Sequence, residues 1–211
     1  MTFIFIGRSG SGKGTQAKLL IKYLAGAPVI YLETGRYVRE LINQQTYSGR
    51  LAKVVSERGE RQPDFIAVYL WSNFLINNLI GGPSADSPRF GEAGEAGEHL
   101  VFDGTPRSLV EAQALDTAVA FYKLEKPRVI FLDISVARAR ERLANRGRED
   151  DDKDGIEKRL GWYERDVEPV IDYYRRHSGY QFLRIDGDQE VEMIHGEIKR
   201  LCFEIENTGG N

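Results

Sequence analysis

Cysteine is nearly missing from this 211-residue chain, in which Cys202 stands alone. One thiol excludes an internal disulfide and any cysteine-built metal site. Its place in an apolar-periodic C-terminal segment marks it as a core thiol rather than a reactive one. The three histidines, His99, His177 and His195, are scattered without metal-ligand spacing and read as structural or surface groups. No stretch approaches the ~18 apolar residues of a membrane span. Excess positive charge is lacking too: 29 Lys and Arg against 32 Asp and Glu leave a net charge of −3, which argues against bulk nucleic-acid binding. What remains, 41% hydrophobic and 29% charged, suffices for one substantial core. The expectation is a single cytoplasmic globular domain.

Short apolar or β-branched runs recur at 2–6, 28–32, 99–103, 128–134 and 180–185, separated by segments of helical periodicity. Continuous apolar strands alternating with helices predict an α/β fold: a five-stranded parallel sheet covered on both faces. The first run has no basic region before it and leads straight into glycines, so it reads as a strand and not a signal peptide. Between the second and third strands lie about sixty-five residues, far more than one crossover needs. Helices are expected near 35–45, 48–59 and 63–80, as an inserted helical lobe. NRGREDDDKDG, between Arg146 and Ile156 in outline, reads as a mobile flap. The Gly/Glu/Ala-rich stretch 81–98 reads as a flexible loop at the N-terminal edge of the sheet, and the tail ENTGGN as frayed. Trp71 and Trp162 fall on predicted helices, where packing explains them better than ligand stacking.

The stretch GRSGSGKGTQA, Gly7 to Ala17, carries the chemistry. Gly7-x4-Gly12-Lys13 after a strand and before an amphipathic helix is a phosphate-loop pattern in its proper context. Glycines let successive backbone N–H groups turn inward around phosphate oxygens, Lys13 reaches them with charge, and the helix N-terminus adds its positive end. Gly14 stands where many such loops have Ser or Thr. It removes a hydroxyl ligand for Mg²⁺, so the metal must be held by phosphates, water and a nearby carboxylate. Asp103, ending the third strand, supplies one. Arg138, Arg142 and Arg146 recur at four-residue spacing, hence on one helix face.

G-x-x-G-x-G-K-G-T-Q from Gly7, TG-x-x-x-R (Thr34, Gly35, Arg39), DG-x-PR (Asp103, Gly104, Pro106, Arg107) and R-x-x-x-R (Arg142, Arg146) together resemble the adenylate kinase family of nucleoside monophosphate kinases, over residues 1 to about 200. The resemblance implies a P-loop NTPase fold, three-layer α/β/α, with a core of 1–32, 63–141 and 156–211. It adds a monophosphate-binding lobe at 33–62 and a LID at 142–155. The LID is of the short type, without room or ligands for zinc. The implied reaction is ATP + AMP = 2 ADP, by a cytoplasmic monomer using Mg²⁺ with ATP. Gly10, Ser11, Gly12, Lys13, Gly14, Thr15, Arg142, Arg146 and Gln189 would meet ATP. Thr34, Arg39, Glu60, Arg61, Gln62, Gly104, Arg107, Glu111, Arg148 and Arg159 would meet AMP. Around the transferring phosphate stand Lys13, Arg107, Arg142, Arg148 and Arg159, with Asp103 behind the metal. Asp150 and Asp151 match an acidic pair that engages the LID arginines.

So many arginines and no base fit a monophosphate acceptor. It is already an anion, so charge neutralisation and alignment replace proton abstraction, and the planar guanidinium binds phosphate oxygens in pairs. Arg138 and Arg140, outside the matched positions, read as a solvated face with charged neighbours.

The acceptor base is less uniformly specified. Thr34 matches the threonine that favours adenine. Glu111 stands where the family usually has glutamine, and an ionised carboxylate, which only accepts, would face the N1 lone pair of adenine; guanine, with donors at N1 and N2, would suit it better. Gln113 reaches in only if the helix is rotated. Arg36 replaces a common Asp, Gln62 an apolar residue and Ser9 a proline, with Arg8 beside it. The alternatives to AMP are therefore GMP or another monophosphate, a small-metabolite P-loop kinase, which Arg39 and Arg107 oppose, and a regulator that binds nucleotide without transfer.

Overall fold

The structure is a computed structural model that describes residues 1–79, 99–124, 126–147 and 153–204. The expected 81–98 loop, the tail, Arg148, Asp150 and Asp151 lie outside the described residues. The chain runs β1 (Thr2–Gly7), α1 (Lys13–Tyr23), β2 (Val29–Glu33), α2 (Thr34–Ile42), α3 (Tyr47–Glu57) and α4 (Asp64–Asn78), then β3 (His99–Asp103), α5 (Leu109–Phe121), β4 (Arg128–Asp133) and α6 (Val136–Arg146). After α7 (Lys153–Trp162), a π-type turn at Tyr163–Val167 carries the chain into α8 (Glu168–Arg176), followed by β5 (Gln181–Asp186) and α9 (Val191–Lys199).

All five strands are parallel, in the order β2-β3-β1-β4-β5. The period-two alternation of TFIFI explains how β1 comes to lie centrally. Phe3 and Phe5 face a layer with Leu20 of α1 and Ile194 and Ile198 of α9, where Cys202 is fully buried. Ile4 and Ile6 face the opposite layer, with Trp71 and Phe74 of α4, Leu115 of α5 and Val170 and Tyr174 of α8. Burying each such side chain contributes roughly 1.5–3 kcal/mol. The result is the α/β/α sandwich expected from the apolar runs, with Trp71 in the core and Trp162 packed against it.

Strand and helix limits shift from the sequence reading by one to three residues. The first helix of the insertion stops at Ile42, because Thr46 caps the next one by accepting from Gly49 N. Pro63 holds extended dihedrals, so α4 starts at Asp64. Among the described residues no helix is long and apolar enough to cross a membrane.

Candidate active site

Because β1 is followed by a crossover toward β2 and β3 by one toward β4, the chain departs in opposite directions at their C-terminal ends, which opens a crevice there. The register pairs Phe5 with Asp103, so the loop after Gly7 and the turn after Asp103 meet across that crevice. Gly10 shows why the loop is glycine-rich. Its φ is +84°, and a Cβ there would come 2.8 Å from the Ala139 carbonyl oxygen of α6, so loop backbone packs directly on helix backbone.

Lys13, at the first position of α1, folds back into this loop. Its Nζ donates to the Gly7 carbonyl at 2.8 Å, the Arg8 carbonyl at 2.7 Å and Ser11 Oγ at 3.4 Å. Burial pushes its ammonium down to about 8, opposed by Asp103 and reinforced by Arg107 and Arg146. These three charges, from β3, the turn behind it and α6, therefore lie within electrostatic reach of the cradle. Ser11 is buried, Gly12 is left-handed ahead of the helix, and Thr15 is exposed.

Asp103 is nearly buried and accepts from the Tyr31 hydroxyl at 3.0 Å. Gly14 packs against it: a Cβ at Gly14 would sit 3.0 Å from Asp103 Oδ2. The glycine thus lets the head of α1 approach the carboxylate, besides bringing no hydroxyl. Behind Asp103, Gly104 turns with φ +81° while Arg107 folds over it and donates from Nε to its carbonyl at 2.5 Å. Arg107 is lowered by burial first, with Glu111 and Asp103 counteracting and Arg61 and Arg39 adding to the fall. Three arginines from separate elements thus share one field.

Two of these arginines are paired with carboxylates, while Arg107 is held by the Gly104 carbonyl. Arg39 Nη2 donates to Glu33 Oε1 at 2.8 Å. Arg61 donates from Nη1 to Asp64 at 2.6 Å and Glu111 at 3.3 Å, and from Nε to Asp166 at 3.4 Å. Glu111, 1% exposed, accepts from Thr105 Oγ1 at 2.5 Å through its other oxygen. Burial raises its carboxyl above the usual range, offset by Thr105, Arg107 and Arg61. Its position follows from local sequence: Ser108 caps α5 by accepting from Glu111 N at 3.2 Å, which fixes Glu111 on the inner face. Gln113 is exposed. Thr34, at the head of α2, is buried, and its Oγ1 has no hydrogen-bond partner. Gln62 turns away into α3, donating to the Ala52 carbonyl at 2.8 Å and Ser56 Oγ at 3.0 Å, and Glu60 N closes the end of that helix on Val55.

On α6, Arg142 Nη2 donates to the Gln189 carbonyl at 3.4 Å, bringing those two residues together. Arg146 occupies the last turn, and Arg159 of α7 donates from Nε to the Gly155 carbonyl at 3.1 Å. Arg138 and Arg140 pair with Glu141 and Glu157 on the surface. Sequence reading did not find Tyr31, Thr105, Asp64, Asp166 or Glu33, the groups that hold the charged side chains. Tyr31 and Asp166 lie 72 and 105 residues from their partners, while Glu33, Asp64 and Thr105 lie within six residues of theirs but at positions the motifs leave open.

No protein-family model matches the chain. It is similar along nearly its whole length to curated proteins. It is 33% identical to an adenylate kinase of Prochlorococcus marinus (strain MIT 9303), over 94% of this chain and 97% of that one. It is 32% identical to adenylate kinase 1 of Nostoc sp. (strain PCC 7120), over 93% and 95%. The chain belongs to the adenylate kinase family. A relative from Caulobacter sp. (strain K31) is 32% identical over 94% of this chain and 96% of its own, so the likeness is not confined to one lineage. Membership of this family of nucleoside monophosphate kinases agrees with the resemblance carried by the four motifs.

Proposed function

We propose that this member of the adenylate kinase family transfers the γ-phosphate of ATP reversibly to AMP, as a cytoplasmic monomer. The observation that carries the reading is the β1–β3 register, Phe5 opposite Asp103, which sets the loops of Lys13 and Arg107 side by side. One belongs to a phosphate cradle on β1 and the other to the turn after β3, so two cationic sites address one crevice.

In this reading ATP lies on Gly10 to Thr15, with Arg142, Arg146 and Gln189 alongside. The phosphate of AMP lies between Arg39 and Arg107. Residues 33–62 form the acceptor lobe and 142–155 the lid, bringing Arg148 and Arg159 to the phosphates. An acceptor phosphate oxygen bonds to the γ-phosphorus as the bond to the β-phosphate oxygen breaks, and no proton has to move. Positioning and guanidinium charge carry the catalysis. Magnesium, when bound with ATP, neutralises the β- and γ-phosphates. The fit of Gly14 against Asp103 leaves a carboxylate beside the head of α1 and no hydroxyl at position 14, which suits an ion held through phosphates and water with Asp103 behind them.

Two features support adenine. The orphaned, buried Thr34 Oγ1 wants a partner at the head of the acceptor lobe. Glu111 with Arg61 beside it offers an acceptor and a donor together, the combination that N6 and N1 of adenine require. The test is the initial rate with AMP, GMP, CMP and UMP at fixed MgATP. The expected result is fastest turnover with AMP. Turnover of GMP at the same rate or faster overturns the choice of base, and no transfer to any monophosphate overturns the function.

A further inference from the structure

The cradle contains a long charged side chain, Arg8, that phosphate transfer as described does not use. Its guanidinium carbon lies 4.0 Å from the centre of the Tyr163 ring. Nη2 donates to Glu168 Oε1 at 3.5 Å, while Nη1, 3.9 Å from Glu164 Oε1, makes no hydrogen bond. The side chain is only 14% exposed. All three partners belong to the π-type turn and the first residue of α8. Tyr163 is itself 3% exposed and so fixed in the core, and a guanidinium shielded from water over a ring is held more firmly than an exposed one. The backbone of Arg8 serves the cradle: its carbonyl accepts from Lys13 Nζ at 2.7 Å and from Ser11 N at 3.1 Å.

A loop with positive φ at Gly7, Gly10 and Gly12 has little intrinsic preference for one shape. Ordering it on binding weakens affinity unless something orders it beforehand. We propose that Arg8 is a positioning residue for the donor phosphates. Its side chain ties the loop to the Tyr163 turn, so that the carbonyl holding Lys13 stands ready before nucleotide arrives. The same turn contacts the acceptor side through Asp166 and Arg61, but Arg8 meets the turn at Tyr163, Glu164 and Glu168 and neither of those two residues, so its effect falls on the donor. The proposal rests on reading this loop as the ATP site.

The test uses the full chain, with MgADP binding by calorimetry and KM for ATP and AMP measured separately. For Arg8→Ala the expected result is about tenfold weaker MgADP binding and a matching rise in KM for ATP, with KM for AMP within about twofold. Tyr163→Leu should reproduce this, and Arg8→Lys should recover part of it. If Tyr163→Leu does not fold, Arg8→Ala decides alone. Unchanged MgADP binding in Arg8→Ala overturns the proposal. So does an equal rise in both KM values with a lower melting temperature, which is what a purely structural role gives. A wild-type chain that fails to bind MgADP overturns instead the reading of the loop.

Discussion

Gly14 and Asp103 are packed so closely that a single methyl on the glycine would stand 3.0 Å from the carboxylate oxygen Oδ2, the same oxygen that Tyr31 holds at 3.0 Å. The contact makes Gly14→Ala a test of how firmly the carboxylate must stand. Asp103 has to yield, and yielding loosens its bond to Tyr31. The expected outcome is a fall of about tenfold in kcat/KM for MgATP, from losing one buried charge-assisted hydrogen bond. Tyr31→Phe deletes the same bond outright, so the two changes together should cost less than the sum of each alone, a non-additivity read from a double-mutant cycle. Strict additivity of the two changes would break the link.

Lys13 gives a pH dependence whose sign follows from burial. Its ammonium is lowered from 10.5 to about 8, so the free protein loses this charge as pH rises through about 8. KM for ATP should therefore begin to climb above about pH 8, since kcat/KM reports groups of the free enzyme. Bound phosphates return the proton, so kcat should stay level to higher pH. Between about 8 and 10.5 the unfolded chain holds the proton that the folded one has released. The contribution of Lys13 to stability accordingly grows with pH across that window. A flat KM for ATP from pH 7 to 9.5 would contradict this.

Gly104 combines a left-handed backbone, φ +81°, with a guanidinium lying across it; a Cβ there would come 2.7 Å from Arg107 Nη2. Gly104→Ala should cost about 1–2 kcal/mol for the backbone alone, lowering the melting temperature by about 2–8 °C in a chain this size. It should also displace Arg107 and raise KM for the acceptor. Scanning calorimetry and acceptor kinetics separate the two effects.

The arginines should divide sharply. Arg107→Lys loses the planar fork and should cut kcat by about 100-fold or more. Arg138→Ala and Arg140→Ala remove exposed surface pairs and should leave both stability and turnover nearly unchanged. Equal losses at all three positions would refute the assignment.

The parallel sheet, its five strands and the placement of Asp103 at a strand end were legible in sequence because each depends on a local pattern: apolar runs, glycine spacing, helical period. Positions that depend on tertiary meeting were not. Gly14 read as a missing metal ligand, whereas its close packing on Asp103 needs the β1–β3 register to be seen. Glu111 read as a mismatch for adenine. Its pairing with Arg61, 50 residues away, is a tertiary meeting that no local pattern announces. Arg8 had no visible purpose until the turn at Tyr163 came alongside it. Ser9 has no explanation in the structure.

The central place of β1 also sets an order of events at synthesis. The strand ends at Gly7, yet its two neighbours are β3, at His99–Asp103, and β4, ending at Asp133. A ribosome adding about 5–20 residues per second leaves the oldest strand without lateral partners for several seconds or more. The glycine loop beside it waits as well, since its packing surface on α6 is made later still. Such non-local pairing slows folding, and the apolar segment TFIFI stays unpaired on the nascent chain until β3 has been made.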